Sequence, residues 1–198
     1  GRAVSLATAT AEATATGAGA SASPGPQGHR VFTLGPLIHN PQTVAELEAK
    51  GIFAIEMAKD GGFVDGKGRP VAVAGASVVI RAHGVPPQVK SSLAAAGAKI
   101  VDATCPRVLA SQKKAAGYAS RGYTVVIAGD RDHGEVTGIA GFAPGARIVA
   151  SPEEAQALRT EGPLALIAQT TIKKEEYQAI REALALNHPL LEVVDSIC

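Results

Sequence analysis

The string V-D-x-x-C occurs twice, as Val101–Cys105 and as Val194–Cys198, and its two cysteines are the only ones in the 198-residue sequence. A histidine precedes each copy at nearly the same distance. Cys105 lies 66 residues after His39, and Cys198 lies 65 residues after His133. A pattern that recurs with an offset of 93 residues indicates a repeated supersecondary unit. The sequence therefore predicts two similar units, over residues 1–104 and 105–198.

Short β-branched runs alternate with helix-like patterns along the chain, which favours parallel sheets covered by helices. The predicted strands are residues 31–38, 77–82, 99–102, 123–128, 147–150, 164–168 and 191–194. The predicted helices are residues 43–50, 88–96, 108–121, 153–159 and 173–186. Residues 151–154, S-P-E-E, match a capping box with proline at the first helical position. The predicted fold class is α/β, with tandem pseudo-repeated units that each hold a small parallel sheet flanked by helices.

The composition excludes several classes of protein. A net charge of +1 gives no bulk attraction to nucleic acid or to a membrane surface, and no apolar run is long enough to span a bilayer. No G-x-G-x-x-G or P-loop string follows a predicted strand, which disfavours a nucleotide-binding fold. Two cysteines 93 positions apart do not form a disulfide framework. They are buried small hydrophobes, metal ligands or reactive thiols.

The segment 5–28 is rich in Ala, Ser, Thr and Gly, and the sequence does not begin with Met. This composition is typical of a plastid transit peptide, although Glu12 argues against that interpretation. The alternative, which we prefer, is an Ala/Thr helix that leads into an Ala/Ser/Gly-rich loop near residues 17–30.

Polar side chains follow the predicted strands at their carboxyl ends, where ligands bind in open parallel sheets. His39, His83, His133 and Thr170 are donors of the kind that a diphosphate requires, because its oxygens only accept hydrogen bonds. Helix N-termini at the same edge also favour anions. The sequence therefore predicts an anion site beside the two thiols.

Each of these residues also has a structural interpretation. A single histidine after a strand is often a surface or capping residue, and Thr170-Thr171 could cap the following helix. Glu135 could lie in a solvent-facing loop, or it could donate or relay a proton beside His133. Cys105 could be buried ahead of a helix that starts at Pro106. We assign purely structural roles to His29 and His188.

Six strings carry a family resemblance in their order along the chain: L-G-P-L-I-H-N, R-A-H-G-V, V-D-A-T-C-P, H-G-E-V-T-G, Q-T-T and the final D-S-I-C. Together they resemble the 4-hydroxy-3-methylbut-2-enyl diphosphate reductases, the LytB/IspH family. The resemblance covers nearly the whole sequence. It implies three similar α/β units around a 4Fe–4S cluster. Each unit supplies one cysteine, and the three thiolates together leave one iron open to the substrate.

The implied activity is the last step of the non-mevalonate isoprenoid pathway. An allylic alcohol diphosphate is reduced and dehydroxylated to isopentenyl and dimethylallyl diphosphate, with electrons from ferredoxin or flavodoxin. The implied location is the bacterial cytoplasm, or the plastid stroma in a plant or alga.

The resemblance also implies a role for each matching position. Cys105 and Cys198 match cluster ligands, and His39, His83 and His133 match histidines that contact the diphosphate. Glu135 matches the glutamate that helps to deliver a proton to the departing hydroxyl. Thr170 matches the threonine beside that hydroxyl, with Thr171 as its neighbour in the substrate site.

Two departures from the family pattern lead to an expectation about completeness. The first residues, G-R-A-V, resemble the end of a family string whose cysteine would lie upstream of Gly1, and the third unit would follow Cys198. We therefore expect a fragment that lacks the first cysteine ligand and the third unit, and that is inactive alone.

Two other function classes are considered. A non-catalytic diphosphate-binding module with buried cysteines would keep its ligand affinity after both cysteines were replaced by serine. A hydrolase that uses zinc or another metal, held by His133, Glu135 and a cysteine, is disfavoured because the sequence has no short ligand spacing such as C-x₂-C or H-x₃-H.

Overall fold

The computed structural model describes residues 2–16, 30–36 and 41–197. The described residues do not include His29, His39 or Cys198. They also leave out residues 17–29 of the loop predicted near residues 17–30. The chain divides into two compact units. The first comprises Gly1–Ala82 and Gln88–Thr104, and the second comprises His83–Pro87 and Cys105–Cys198.

The first unit holds a five-stranded sheet with the strand order β3-β2-β1-β4-β5. Its strands are β1 (Val31–Leu34), β2 (Ile52–Met57), β3 (Phe63–Asp65), β4 (Ser77–Ile80) and β5 (Lys99–Asp102). Its helices are α1 (Arg2–Thr16), α2 (Pro41–Ala49) and α3 (Pro87–Ala95). All strand pairs are parallel except β2 with β3. A buried cluster joins Ala3 and Ala7 of α1 to Val31 and Val79 of the sheet, so α1 covers one face of it.

The second unit holds a four-stranded parallel sheet with the order β7-β6-β8-β9. Its strands are β6 (Thr124–Ala128), β7 (Arg147–Val149), β8 (Leu164–Ala168) and β9 (Leu191–Val193). Its helices are α4 (Pro106–Ser120), α5 (Gly134–Ala140), α6 (Pro152–Ala157) and α7 (Lys174–Ala185). Within the described residues, no helix has both the length and the apolarity needed to cross a membrane.

Both faces of this sheet are covered by helices. Val126 of β6 packs in a cluster with Tyr177, Ile180 and Leu184 of α7. The next residue along β6, Ile127, packs in a second cluster with residues of α4 and α5. Since successive side chains of a strand point to opposite faces, the two clusters lie on opposite sides of the sheet. This double coverage explains why β8, L-A-L-I-A, is apolar and buried at every position.

The two units repeat one topology. The order β2-β1-β4-β5 in the first unit corresponds to β7-β6-β8-β9 in the second, and β3 adds one antiparallel strand at the edge of the first. The predicted α/β fold with parallel sheets flanked by helices is confirmed.

Most predicted elements are present with shifts of at most two residues at their ends. The first predicted strand is shorter than expected, since β1 ends at Leu34 rather than at residue 38. The predicted cap of α6 is also present, because the hydroxyl of Ser151 accepts a hydrogen bond from the N–H of Glu154. The prediction did not include β2, β3 or α5. The burial of β2 does not alternate, and α5 has only seven residues and begins with Gly134.

Candidate active site in the second unit

Glu135 and Thr170 form a buried hydrogen-bonded pair at the carboxyl edge of the second sheet. Thr170 N–H donates to Glu135 Oε1 at 2.6 Å, and Thr170 Oγ1 donates to Oε2 at 2.9 Å. Both residues are buried, and the glutamate is only 2% exposed. The pair forms because β6 and β8 are parallel neighbours, so the loops that follow them meet at one edge. Glu135 therefore lies in the protein interior and not in a solvent-facing loop.

His133 lies beside this pair as the N-cap of α5. Its Nδ1 accepts a hydrogen bond from the N–H of Glu135 at 3.3 Å. A ring nitrogen that accepts carries no proton, so the neutral ring has its N–H at Nε2. The capping role considered from the sequence is present, and it fixes the ring so that a donor remains on the far nitrogen.

His83 contacts His133 within the second unit. The two ring centroids are 4.7 Å apart and the rings are inclined by 59°. Although β4 before it and residues 88–95 of α3 after it belong to the first unit, the segment His83–Pro87 packs with the second. The structure thus brings together four of the predicted site residues: His83, His133, Glu135 and Thr170.

Gln169 organises the loop after β8, a role that its place in the Q-T-T string did not predict. Its Oε1 accepts from Asp130 N–H at 3.0 Å, and its Nε2 donates to Thr171 Oγ1 at 2.9 Å. A Cβ at Gly129 would lie 2.6 Å from Gln169 Oε1, so glycine is required for this close approach. Gln169 therefore ties the loop after β6 to the loop after β8 and holds Thr171 in place.

Neither threonine of this string caps the next helix. Helix α7 begins at Lys174, with Lys173 as its N-cap. Thr170 is engaged with Glu135, and Thr171 accepts from Gln169. The site interpretation of the two threonines is therefore more consistent with these contacts than the capping interpretation.

Cys105 follows β5 and is the N-cap of α4, with Pro106 at the first helical position. Its side chain is partly exposed and makes no capping hydrogen bond. A cysteine thiolate is the ligand that iron–sulfur clusters require. Cys105 therefore fits one ligand position of such a cluster. Among the described residues, no group of three or more His, Cys, Asp or Glu side chains could hold a metal ion by itself.

The turn that leads to Cys105 is fixed by Asp102. Its Oδ1 accepts from Thr104 N–H at 3.0 Å and from Thr104 Oγ1 at 2.5 Å, while Lys90 Nζ donates to Oδ2 at 2.6 Å. Partial burial acts to raise the pKa of the Asp102 carboxyl. The hydrogen bonds from Lys90 and Thr104 outweigh it, so the pKa lies below its ordinary value of 3.8.

The second V-D-x-x-C copy is held by different contacts. Ser196 Oγ accepts from the N–H of Ala168 at 2.8 Å, which extends the β8 ladder beyond the last residue of β9. Two cations of α4 bind carbonyls of the same segment. Arg107 Nη1 donates to Ile197 O at 3.0 Å, and Lys114 Nζ donates to Asp195 O at 3.2 Å. The segment next to Cys198 in the chain is therefore tied to the helix that begins next to Cys105.

His188 has the structural role expected of it. It is 6% exposed, and its Nε2 lies 3.2 Å from the carbonyl oxygen of Leu158. The contact links the end of α7 to the end of α6, away from the carboxyl edge of the sheet. His39 and Cys198 lie outside the described residues, so their predicted roles stay predictions.

The sequence profile of the family described as LytB protein matches residues 7–198. The chain belongs to the LytB family. This membership confirms the family that the ordered strings resemble.

Curated LytB relatives share substantial identity with this chain. The 4-hydroxy-3-methylbut-2-enyl diphosphate reductase of Treponema pallidum (strain Nichols) is 41% identical over 197 residues, which cover 85% of this chain and 52% of that protein. The reductase of Treponema denticola is 43% identical over 175 residues, covering 85% of this chain and 58% of that protein. The chain thus spans little more than half the length of these relatives.

Two solved structures have the same fold. A structure of (E)-4-hydroxy-3-methyl-but-2-enyl diphosphate reductase, described as the terminal enzyme of the non-mevalonate pathway, is 31% identical with a TM-score of 0.77. The alignment covers 100% of this chain and 63% of that one. The E-1-hydroxy-2-methyl-but-2-enyl-4-diphosphate reductase of Plasmodium falciparum is 24% identical with a TM-score of 0.78, covering 100% of this chain and 57% of that one, and supports the fold alone.

Proposed function

We propose that this chain forms part of the active site of an iron–sulfur reductase that converts 4-hydroxy-3-methylbut-2-enyl diphosphate to isopentenyl and dimethylallyl diphosphate. The observation that carries the proposal is the Glu135–Thr170 pair, beside which His133 and His83 lie. Membership of the LytB family and the reductase activity for which its relatives are named support the substrate class. The reaction takes up two electrons and two protons, breaks the C–O bond of the allylic alcohol, forms a C–H bond and releases water.

The histidines bind the diphosphate in this proposal. A diphosphate only accepts hydrogen bonds, and the cap contact of His133 leaves its Nε2–H as a donor. His83 lies against that ring, so both imidazoles can engage one anion. We assign the same role to His39 and Thr171 from the family pattern.

Glu135 supplies a proton to the departing hydroxyl through Thr170. For this step the Glu135 carboxyl group must carry the proton on Oε2 and donate it to Thr170 Oγ1, while the Thr170 hydroxyl donates its own hydrogen to the substrate oxygen. A hydroxyl can accept and donate at once, so the 2.9 Å contact between Thr170 Oγ1 and Glu135 Oε2 suits such a relay. The second hydrogen bond, from the backbone N–H of Thr170, holds the carboxyl group in one orientation. Because the pair is buried, water competes little for this proton.

Cys105 and Cys198 are the proposed ligands of a 4Fe–4S cluster, with a further cysteine ligand from outside this sequence. When bound, the cluster would supply electrons one at a time and an open iron that polarises the substrate hydroxyl. The proposed electron donors are ferredoxin and flavodoxin. Cys105 supports this assignment because its partly exposed thiol lies at a helix N-terminus without a capping bond.

Since the chain spans about half of its relatives, turnover is best measured in a chimera. The chain replaces the aligned segment of the Treponema pallidum reductase, and the protein is reconstituted anaerobically with iron and sulfide. We expect the broad visible absorption of an iron–sulfur cluster and reductive turnover of the allylic diphosphate. The chain alone is expected to be inactive in the same assay.

A folded chimera that assembles the cluster but does not turn over the substrate would contradict the proposal. A chimera whose Cys105→Ser variant keeps both cluster absorption and turnover would contradict the ligand assignment. A protein that binds no iron, and whose diphosphate affinity is unchanged after both cysteines are replaced by serine, would instead favour a non-catalytic binding module.

A further inference from the structure

His83 reaches the candidate site because the segment His83–Pro87 lies directly on α5. The segment belongs to the second unit, and its histidine ring contacts that of His133 at the start of the same helix. The position of His83 is therefore set by how closely this segment approaches α5.

Two glycines form the contact surface: Gly138 lies within α5, and Gly141 is its C-cap. A Cβ at Gly138 would lie 3.3 Å from the carbonyl oxygen of His83, and a Cβ at Gly141 would lie 2.5 Å from Pro86 Cβ and 2.9 Å from Pro86 Cα. Real Cβ atoms essentially never approach a heavy atom outside their own residue and its chain neighbours within 3.0 Å, so any side chain at Gly141 would push Pro86 away. Residues three apart on a helix lie on the same face, so one face of α5 carries both contacts.

Backbone conformation does not explain these glycines. Gly141 has φ −60° and ψ −19°, which are helical angles that alanine adopts readily, and neither glycine has a positive φ. Glycine in a helix also loses more conformational entropy on folding than alanine does. What remains as the reason for glycine at both positions is the space that a side chain would occupy.

Gln112 of α4 also lies close to Gly138. It is 2% exposed, and its Nε2 would lie 3.5 Å from the Cβ of a residue at that position. That nitrogen is one of the buried side-chain atoms without a hydrogen-bond partner in the described part of the chain. A methyl group at position 138 would therefore meet a carbonyl on one side and a buried amide on the other.

We infer that Gly138 and Gly141 are positioning residues: they set the separation of His83 from His133, and thereby the ability of the two rings to bind one diphosphate. The inference rests on the proposed function for its ligand, but the ring separation can be tested without any ligand. A misplacement of about 1 Å can lower the rate at a catalytic site by about 100-fold, so the spacing of groups that hold a ligand matters at this scale.

The experiment uses the chain as it stands, in variants Gly141→Ala and Gly138→Ala. Gly117→Ala is the matched control, because Gly117 lies within α4 and a Cβ there has nothing within 4 Å. Imidazole NMR spectra are recorded with and without His83→Ala in each background. In the unmodified chain, His83→Ala should shift the His133 ring resonances. Isothermal titration with inorganic pyrophosphate gives the affinity.

In the Gly141→Ala background, His83→Ala should no longer shift the His133 resonances, and pyrophosphate should bind at least about tenfold more weakly. Gly138→Ala should give a smaller change in the same direction, and Gly117→Ala should match the unmodified chain. If Gly141→Ala does not fold, the inference is tested by the His133 resonances and the pyrophosphate affinity of Gly138→Ala.

Folded Gly141→Ala and Gly138→Ala proteins in which His83 still shifts His133 as in the unmodified chain would overturn the inference. An unmodified chain that binds no pyrophosphate but shows the ring coupling would count against the proposed function and leave the positioning role intact.

Discussion

Thr170 forms hydrogen bonds with both side-chain oxygens of Glu135, through its backbone N–H and its hydroxyl, although Glu135 lies 35 positions earlier in the chain. The contact joins the start of α5 to the loop after β8 and is buried on both sides. Two hydrogen-bonding contacts with one residue fix the orientation of the Glu135 carboxyl group, and a fixed orientation is what proton delivery to a defined atom requires once that group carries a proton.

Glu135→Gln should abolish most turnover in the chimera and leave the fold intact. Glutamine keeps an acceptor for Thr170 N–H but cannot deliver the proton, and loss of a general acid lowers the rate by about 10²–10⁴-fold. The matched control is Glu182→Gln, whose carboxylate is exposed on α7 and accepts from Gln178. The measurement is kcat together with the melting temperature. A Glu135→Gln protein with near-normal kcat would rule out the proton role.

Thr170→Val should lower turnover, whereas Thr170→Ser should retain most of it. Valine has nearly the shape of threonine but leaves Glu135 Oε2 without its hydroxyl donor, at a cost of about 1–3 kcal/mol for a buried unpaired group. Serine keeps the hydroxyl. Comparing kcat and denaturant unfolding for the two variants separates the relay from packing. Equal turnover in both would show that the hydroxyl is dispensable.

Ser196→Ala should destabilise the second unit by about 1–3 kcal/mol, because the buried N–H of Ala168 loses its acceptor. Ser120→Ala is the control, since its exposed hydroxyl only donates to Gly117 O. Urea unfolding gives the free energies, and hydrogen exchange at Ala168 locates the effect. Unchanged protection of that amide in Ser196→Ala would contradict the assignment.

The stability of the chain should fall between pH about 10 and about 12, and Tyr177 should account for part of the fall. Burial raises the pKa of the Tyr177 phenol from 10.0 to about 12. Between those values the unfolded chain loses the proton while the folded chain keeps it, which favours unfolding as the pH rises. Below pH 10 both states are protonated and the contribution is constant.

The check is chemical denaturation across this pH range for the unmodified chain and Tyr177→Phe. The variant should show a shallower alkaline decrease, although it also loses the 3.1 Å hydrogen bond to Val194 O and starts from a lower free energy of unfolding. Parallel curves for the two proteins would exclude Tyr177 as a source of the alkaline dependence.

The local pattern of apolar residues predicted those strands and helices in which the buried positions recur as expected for that type of element. Strand β8 is apolar at every position, and α7 buries Tyr177, Ile180 and Leu184 on one face, so both are recognisable without a partner. Strand β2 was missed because Phe53 and Met57 are exposed on a strand without regular alternation. Helix α5 was missed because Gly134 and Gly138 lower its helix propensity, and Gly138 contacts a segment that is distant in the chain.

The sequence by itself determined the alternation of strands and helices, the repeat of one topology in two units and the ordered strings that identify the family, because these depend on the periodicity and identity of nearby residues. Only the tertiary structure decided that Glu135 pairs with Thr170, that His83–Pro87 packs with the second unit and that Gly138 and Gly141 admit it so closely. Those contacts join residues that are remote in the chain. The Glu135–Thr170 contact arises where two parallel strands bring their carboxyl ends to one edge, and the distances in all of these contacts follow from the packing of whole elements.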